Sequence, residues 1–200
     1  MLRYIYQFFL KRMGWTFEGS FEPKPPKFIV IVAPHTSNMD FVIGVMARST
    51  LKLTSTKYLG KSQLFKFPHG FIFRALGGYP VDRTKHNNLV DAVVDLFNSK
   101  ESFSIAIAPE GTRSKVDRIK TGFYHIAKKA QVPIFLVGFD YQQKKIVIKG
   151  PIMPGESVLD DFLMIIQFFS SIQGKVPELG VTMDLFERMK EQIVTQKHAD

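Results

Sequence analysis

Three short apolar runs constrain this chain more than any other feature: Phe28 to Ala33 (FIVIVA), Phe103 to Ala108 (FSIAIA) and Pro133 to Phe139. Each has the length of a strand, is rich in Ile, Val and Phe, and reads as a buried β-strand. Between them the apolar period lengthens to that of a helix. Phe41 to Arg48 follows a polar loop as a helix. Leu89, Val90, Val93, Val94 and Phe97 recur at helical spacing, with Asp91 and Asp95 on the outer face, and Gly122 to Ala130 is helical again. Thr56 to Leu59 is a further strand, and Lys145 to Lys149 an exposed, alternating one. Ser157 to Ile172 and Val181 to Val194 are patterned as helices. This alternation predicts an α/β fold: a single domain whose mixed, largely parallel sheet is flanked by helices. With 200 residues, 45% of them hydrophobic, the chain can bury one substantial core but is short for two.

Ahead of that domain, residues 1 to 13 place Leu2, Ile5, Tyr6, Phe9, Leu10 and Met13 on one side of a helical wheel. Arg3, Gln7 and Lys11 lie opposite and Arg12 at the boundary, which makes an amphipathic N-terminal helix with a basic face. Such a helix can lie in a lipid headgroup layer or pack on the domain's own core, and the pattern allows both. A Pro-rich stretch, Glu22 to Lys27, reads as a short linker. The expected division is therefore helix and linker over 1–27 and the main domain over 28–200. No uninterrupted apolar run reaches eighteen residues, and Lys11, Arg12 and Glu18 break the pattern of a signal peptide. The expectation is a cytoplasmic protein, peripheral on a membrane.

The chain carries a formal charge of +9, and its pI is near 9.7, which favours an anionic partner: nucleic acid, anionic lipid or a phosphorylated substrate. Nineteen Phe residues tilt that choice toward lipid, because an electrostatic binder has no need of so much bulky apolar surface. No nucleic-acid-binding motif is present. The absence of Cys excludes disulfides, cysteine nucleophiles and thiolate metal sites.

Two segments carry the chemistry. The first, Pro34 to Asp40 (PHTSNMD), follows a buried strand and precedes a helix, where α/β proteins place ligands. His35 and Asp40 cannot share a helix face, since five residues turn roughly 140° past a full circle. They can meet if the loop folds back, Asp40 then fixing one ring nitrogen and leaving the other as a base. The alternative is a loop histidine beside an Asp N-cap. The second, Ala108 to Ser114 (APEGTRS), also follows an apolar strand. Gly111 permits a sharp turn, Arg113 with Thr112 and Ser114 offers donors suited to phosphate, and Glu110 can accept from a hydroxyl. Here the alternative is an ordinary turn in which Glu110 and Arg113 pair with each other.

Together the two segments resemble the glycerophospholipid acyltransferase family, whose members carry an H-x-x-x-x-D motif followed by an E-G-T-R motif. Two further blocks fall in the family's order: Gly78 to Arg83 (GYPVDR), similar to a block ending in a substrate-binding Arg, and Val132-Pro133-Ile134. The resemblance spans roughly residues 28–152. It implies His35 as catalytic base with Asp40 orienting it, and Arg83, Glu110, Gly111, Thr112 and Arg113 as the site for the acceptor. It also implies an acyl-CoA or acyl-carrier-protein donor, a lysophospholipid acceptor, and neither metal nor cofactor. One departure is Pro34, which stands where many members have Asn. The remaining histidines, His69, His86, His125 and His198, have no partner at metal-ligand spacing. A hydrolase using the same histidine with water is the alternative enzyme.

Overall fold

The computed structural model describes residues 2–81 and 89–197. Seven strands form one sheet: β1 (Thr16–Glu18), β2 (Lys27–Val32), β3 (Lys57–Lys61), β4 (Gly78–Val81), β5 (Phe103–Ile107), β6 (Ile134–Asp140) and β7 (Lys145–Ile152). Their order is β1-β7-β6-β2-β5-β3-β4. The five strands from β6 to β4 run parallel; β7 is antiparallel to β6, and β1 pairs with β7 in parallel. The helices are α1 (Leu2–Arg12), α2 (Asn38–Thr50), α3 (Gly70–Ala75), α4 (Leu89–Ser99), α5 (Gly122–Ala130), α6 (Val158–Ser170) and α7 (Met183–Lys197). The predicted mixed, largely parallel α/β architecture is the one observed.

The strand period of two distributes the core between the two faces. Ile29, Ile31 and Ala33 of the β2 segment pack with Val93, Phe97, Phe123, Ile126, Phe162 and Phe169 from the later helices. Phe28 and Val30 point the other way and pack with Ile43, Met46 and Ala47 of α2 and Leu10 of α1. Because β2 sits between β6 and β5, it is covered on both faces, which is why it reads as an unbroken apolar run.

The sequence pattern missed β1, α3, β4 and two 3₁₀ turns, Ser62–Phe65 and Pro177–Leu179. All are too short for a hydrophobic period to register. Lys145 to Lys149, read as exposed, begins a strand reaching Ile152 in which Ile146 and Ile148 are buried, because β1 and β6 flank it and α1's loop packs above it. Within α1 only Leu10 is buried. Arg3, which the wheel puts opposite the apolar stripe, lies toward the body, its Nε donating to the Thr50 carbonyl at 3.1 Å. Leu2, Ile5 and Phe9 are exposed instead, with Tyr4 and Phe8.

Candidate active site

The site forms because β2 and β5 are parallel neighbours. Ile31 lies opposite Ile107, so the loops leaving both strands run side by side at the same edge of the sheet. The helices that follow diverge: α2, after β2, covers one face, while α5, after β5, joins the core on the other. That makes the gap between β2 and β5 a topological switch point, where open α/β sheets bind ligands.

Helix α2 starts with Ser37 as N-cap and Asp40 at N3, a reciprocal capping box. Asp40 is thus not the N-cap, and it does more than cap. It is 2% exposed, and its Oδ2 accepts from the backbone N–H of Thr36 (2.8 Å) and Ser37 (2.7 Å). The same oxygen lies 3.2 Å from His35 Nδ1. Burial alone would raise the Asp40 carboxyl, but hydrogen bonds from His35, Tyr141 and the Ser37 N–H outweigh it and hold the group below the usual carboxylate range. The capping alternative and the histidine partnership are therefore one arrangement: the turn that caps α2 folds His35 back onto Asp40. Nε2 is left as the ring nitrogen facing away from Asp40, in a side chain 19% exposed.

Tyr141 completes the environment of Asp40 and was not singled out from sequence. Its hydroxyl donates to Asp40 Oδ1 at 2.7 Å. The Tyr141 ring stands edge-on to Trp15 at 5.0 Å, Lys144 Nζ lies 5.6 Å from its centroid, and its backbone N–H donates to Gln173 O at 2.9 Å. Tyr141 follows β6, which is parallel to β2 and adjacent to it, so it leaves the sheet at the same edge as His35, a neighbourhood that exists only once the strands have paired.

Glu110 crosses from the β5 loop, and its Oε1 accepts the His35 backbone N–H at 2.8 Å. Its Oε2 is buried without a hydrogen-bond partner among the described residues. Burial pushes the Glu110 carboxyl up, and the His35 N–H only partly offsets this. The alternative of a Glu110–Arg113 pair is not realised. Arg113 is exposed, as is Thr112, and makes no ion pair among the described residues. Gly111 adopts φ 68°, a left-handed conformation in which a Cβ would also come within 2.8 Å of Lys120 Nζ. Arg83 lies outside the described residues.

A covering segment after α6 also escaped the sequence reading. Val176 N–H donates to Thr36 Oγ1 at 3.2 Å, and Gly174 lies so close that any side chain there would come within 2.9 Å of Thr36 and 3.1 Å of Pro34. Pro34 is thereby buried in the wall of the loop. Among the described residues no group of three His, Asp or Glu side chains is placed to hold a metal ion.

A histidine backed by a buried carboxylate stands at the switch point of a mixed α/β sheet, and similarity to known proteins gives the family. The profile of the family described as Acyltransferase matches residues 17–140, and the chain belongs to that family. Among solved structures, the chain is similar to the 1-acyl-sn-glycerophosphate (LPA) acyltransferase PlsC from Thermotoga maritima. The TM-score is 0.58 at 18% identity, over 84% of this chain and 74% of that one, a likeness of fold. No curated protein sequence matches significantly.

Proposed function

We propose that this acyltransferase moves a fatty acyl group from a thioester, acyl-CoA or acyl-carrier protein, onto a hydroxyl of a lysophospholipid such as lysophosphatidic acid. The observation that carries this reading is the 3.2 Å approach of His35 Nδ1 to the buried, four-fold satisfied carboxylate of Asp40. A ring held this way keeps Nε2 available as acceptor, and the carboxylate stabilises the imidazolium once it forms. The acceptor hydroxyl attacks the thioester carbonyl and its proton passes to His35 Nε2. The tetrahedral intermediate then collapses, the C–S bond breaks, and the thiolate takes the proton from the imidazolium, leaving an ester and a free thiol. Tyr141 keeps Asp40 ionised and oriented throughout. Glu110 holds the His35 backbone in place through its N–H.

The acylglycerol-phosphate acceptor is supported by the motif resemblance and by what the structurally similar PlsC is named for. Arg113, exposed beside Glu110, supplies a planar fork for the acceptor's phosphate, with Gly111 and Thr112 shaping the turn; Arg83 takes the same role from the family pattern. Such lipids reside in bilayers. The exposed Leu2, Ile5, Phe8 and Phe9 of α1, with Lys11 and Arg12 at its end, support a peripheral attachment to an anionic surface. No described helix is long and apolar enough to cross a membrane.

Purified protein given labelled acyl-CoA and a panel of lysolipids tests the reading. Replacing His35 with Ala is expected to lower transfer by ~10²–10⁴-fold, and a variant retaining more than about a tenth of the parent rate would refute the base assignment.

A further inference from the structure

The segment after β3 exposes more apolar surface than its own fold explains. Phe67 is 97% exposed and Phe71 69%, with Leu64 and Ile72 also open to solvent. This is not a loose loop. Phe65, between them in sequence, is buried, its ring filling the space over Gly60 and Gly78, where any Cβ would come within 2.8 Å and 2.6 Å of it. Arg74 Nη1 donates to the Phe65 carbonyl at 3.0 Å, and the Tyr58 hydroxyl donates to that of Phe73 at 3.1 Å. One Phe locks the turn from inside, and that lock holds the other two out in water.

The turn also shares a layer with α1. Tyr58 meets Phe41 of α2 edge-on at 5.4 Å, and Arg48 of α2 donates to Leu76 O at the end of α3 and to Thr56 O before β3. Helix α2 meets α1 on its other side, through Arg3 and Thr50. Charge follows this layer. Residues 2–81 hold eleven Lys and Arg against three acids, and none of the acids falls between Phe41 and Val81; residues 89–197 hold fourteen against thirteen. Lys66, His69 and Arg74 are exposed around the two phenylalanines.

We propose that the turn from Leu64 to Ile72 is a second bilayer-docking element, inserting Phe67 and Phe71 into an anionic phospholipid surface while Lys66 and Arg74 meet its headgroups. Apolar insertion and headgroup attraction add in such a contact, and a rigid turn pays little ordering entropy on docking. Two separated contacts, α1 and this turn, fix the enzyme's orientation as well as its attachment. His35 then stands at the end of the docked layer, because α2 begins at that edge of the sheet. The choice of lipid as partner rests on the acyltransferase reading.

The test uses the full chain and vesicles of equal parts phosphatidylcholine and phosphatidylglycerol, without substrate. The double variant Phe67→Ser, Phe71→Ser is expected to bind about tenfold more weakly than the parent while keeping its thermal stability, since both side chains are exposed. Transfer between detergent-dispersed substrates should be unchanged. In a separate variant, Phe67→Trp, emission should shift to the blue on adding vesicles; the single native Trp15 is buried and supplies a constant background. Equal vesicle binding by parent and double variant, or no blue shift, overturns the proposal. Because binding is measured without substrate, a parent that binds vesicles through Phe67 but transfers no acyl group would refute the acyltransferase reading and leave the docking result standing.

Discussion

Tyr141→Phe isolates the contribution of one hydroxyl to the site. The phenol is one of four donors on a carboxylate whose side chain is 1% exposed, so solvent does not screen the interaction. A hydrogen bond to a charged group is worth ~1.5–3 kcal/mol, and an Asp40 that has lost it keeps Thr36, Ser37 and His35 as partners. At ~1.4 kcal/mol per decade the rate effect is bounded at roughly 10–150-fold, and with three donors remaining the expected fall in kcat is about tenfold. The KM for both substrates should be unchanged, because Tyr141 points at Asp40 and not at a substrate. Stability supplies the second reading. Asp40 is depressed in the folded state, so its contribution is fully present above the unfolded-state value and is lost as pH falls through the folded value. Removing the Tyr141 hydroxyl raises the folded value. The deficit of the variant should therefore be full at neutral pH, roughly 3–12 °C in Tm for a chain of this size, and should shrink below about pH 4. Steady-state kinetics and thermal unfolding across pH measure both. A kcat within twofold of the parent, or a Tm deficit independent of pH, would refute the positioning role.

Asp40→Asn keeps an acceptor for the Thr36 and Ser37 N–H groups but removes the charge that stabilises an imidazolium; transfer should fall by ~10²-fold or more, with helix content by circular dichroism retained. Glu110→Gln preserves an oxygen for the His35 N–H and deletes a buried charge. Because the folded Glu110 carboxyl is raised, ionising it costs stability as pH climbs from the unfolded-state value to the folded one. The Gln variant should thus match the parent in Tm at acid pH and exceed it at neutral pH, while transferring acyl groups more slowly. Arg113→Lys keeps charge but loses the fork, so the acceptor's KM should rise several-fold with the donor's unchanged; a defect confined to the donor would move Arg113 to the thioester side of the site.

Local chemistry was legible in the residue string. The apolar runs marked the buried strands because β2, β5 and β6 are covered on both faces, and the one-residue difference between the predicted Phe28 to Ala33 and the observed Lys27–Val32 is the usual fraying of ends. His35 and Asp40 could be paired on paper because their contact is closed by a single turn that also caps α2. Glu110 as an anchor of the His35 backbone could not, since that hydrogen bond joins residues 75 apart and exists only once β2 has chosen β5 as its neighbour. The same holds for Tyr141, which is 101 residues from the carboxylate it serves, and for Val176, which is 140 residues from Thr36. The face of α1 that meets the body was likewise beyond the helical wheel. A wheel shows that apolar and basic stripes exist, but burial depends on what lies beside them, and α2 offered the Thr50 carbonyl to Arg3. Sequence periodicity thus determined the elements and the one contact short enough for a single turn to close. The tertiary structure decided which strand ends became neighbours, because strand pairing is a choice among distant segments that no local pattern encodes.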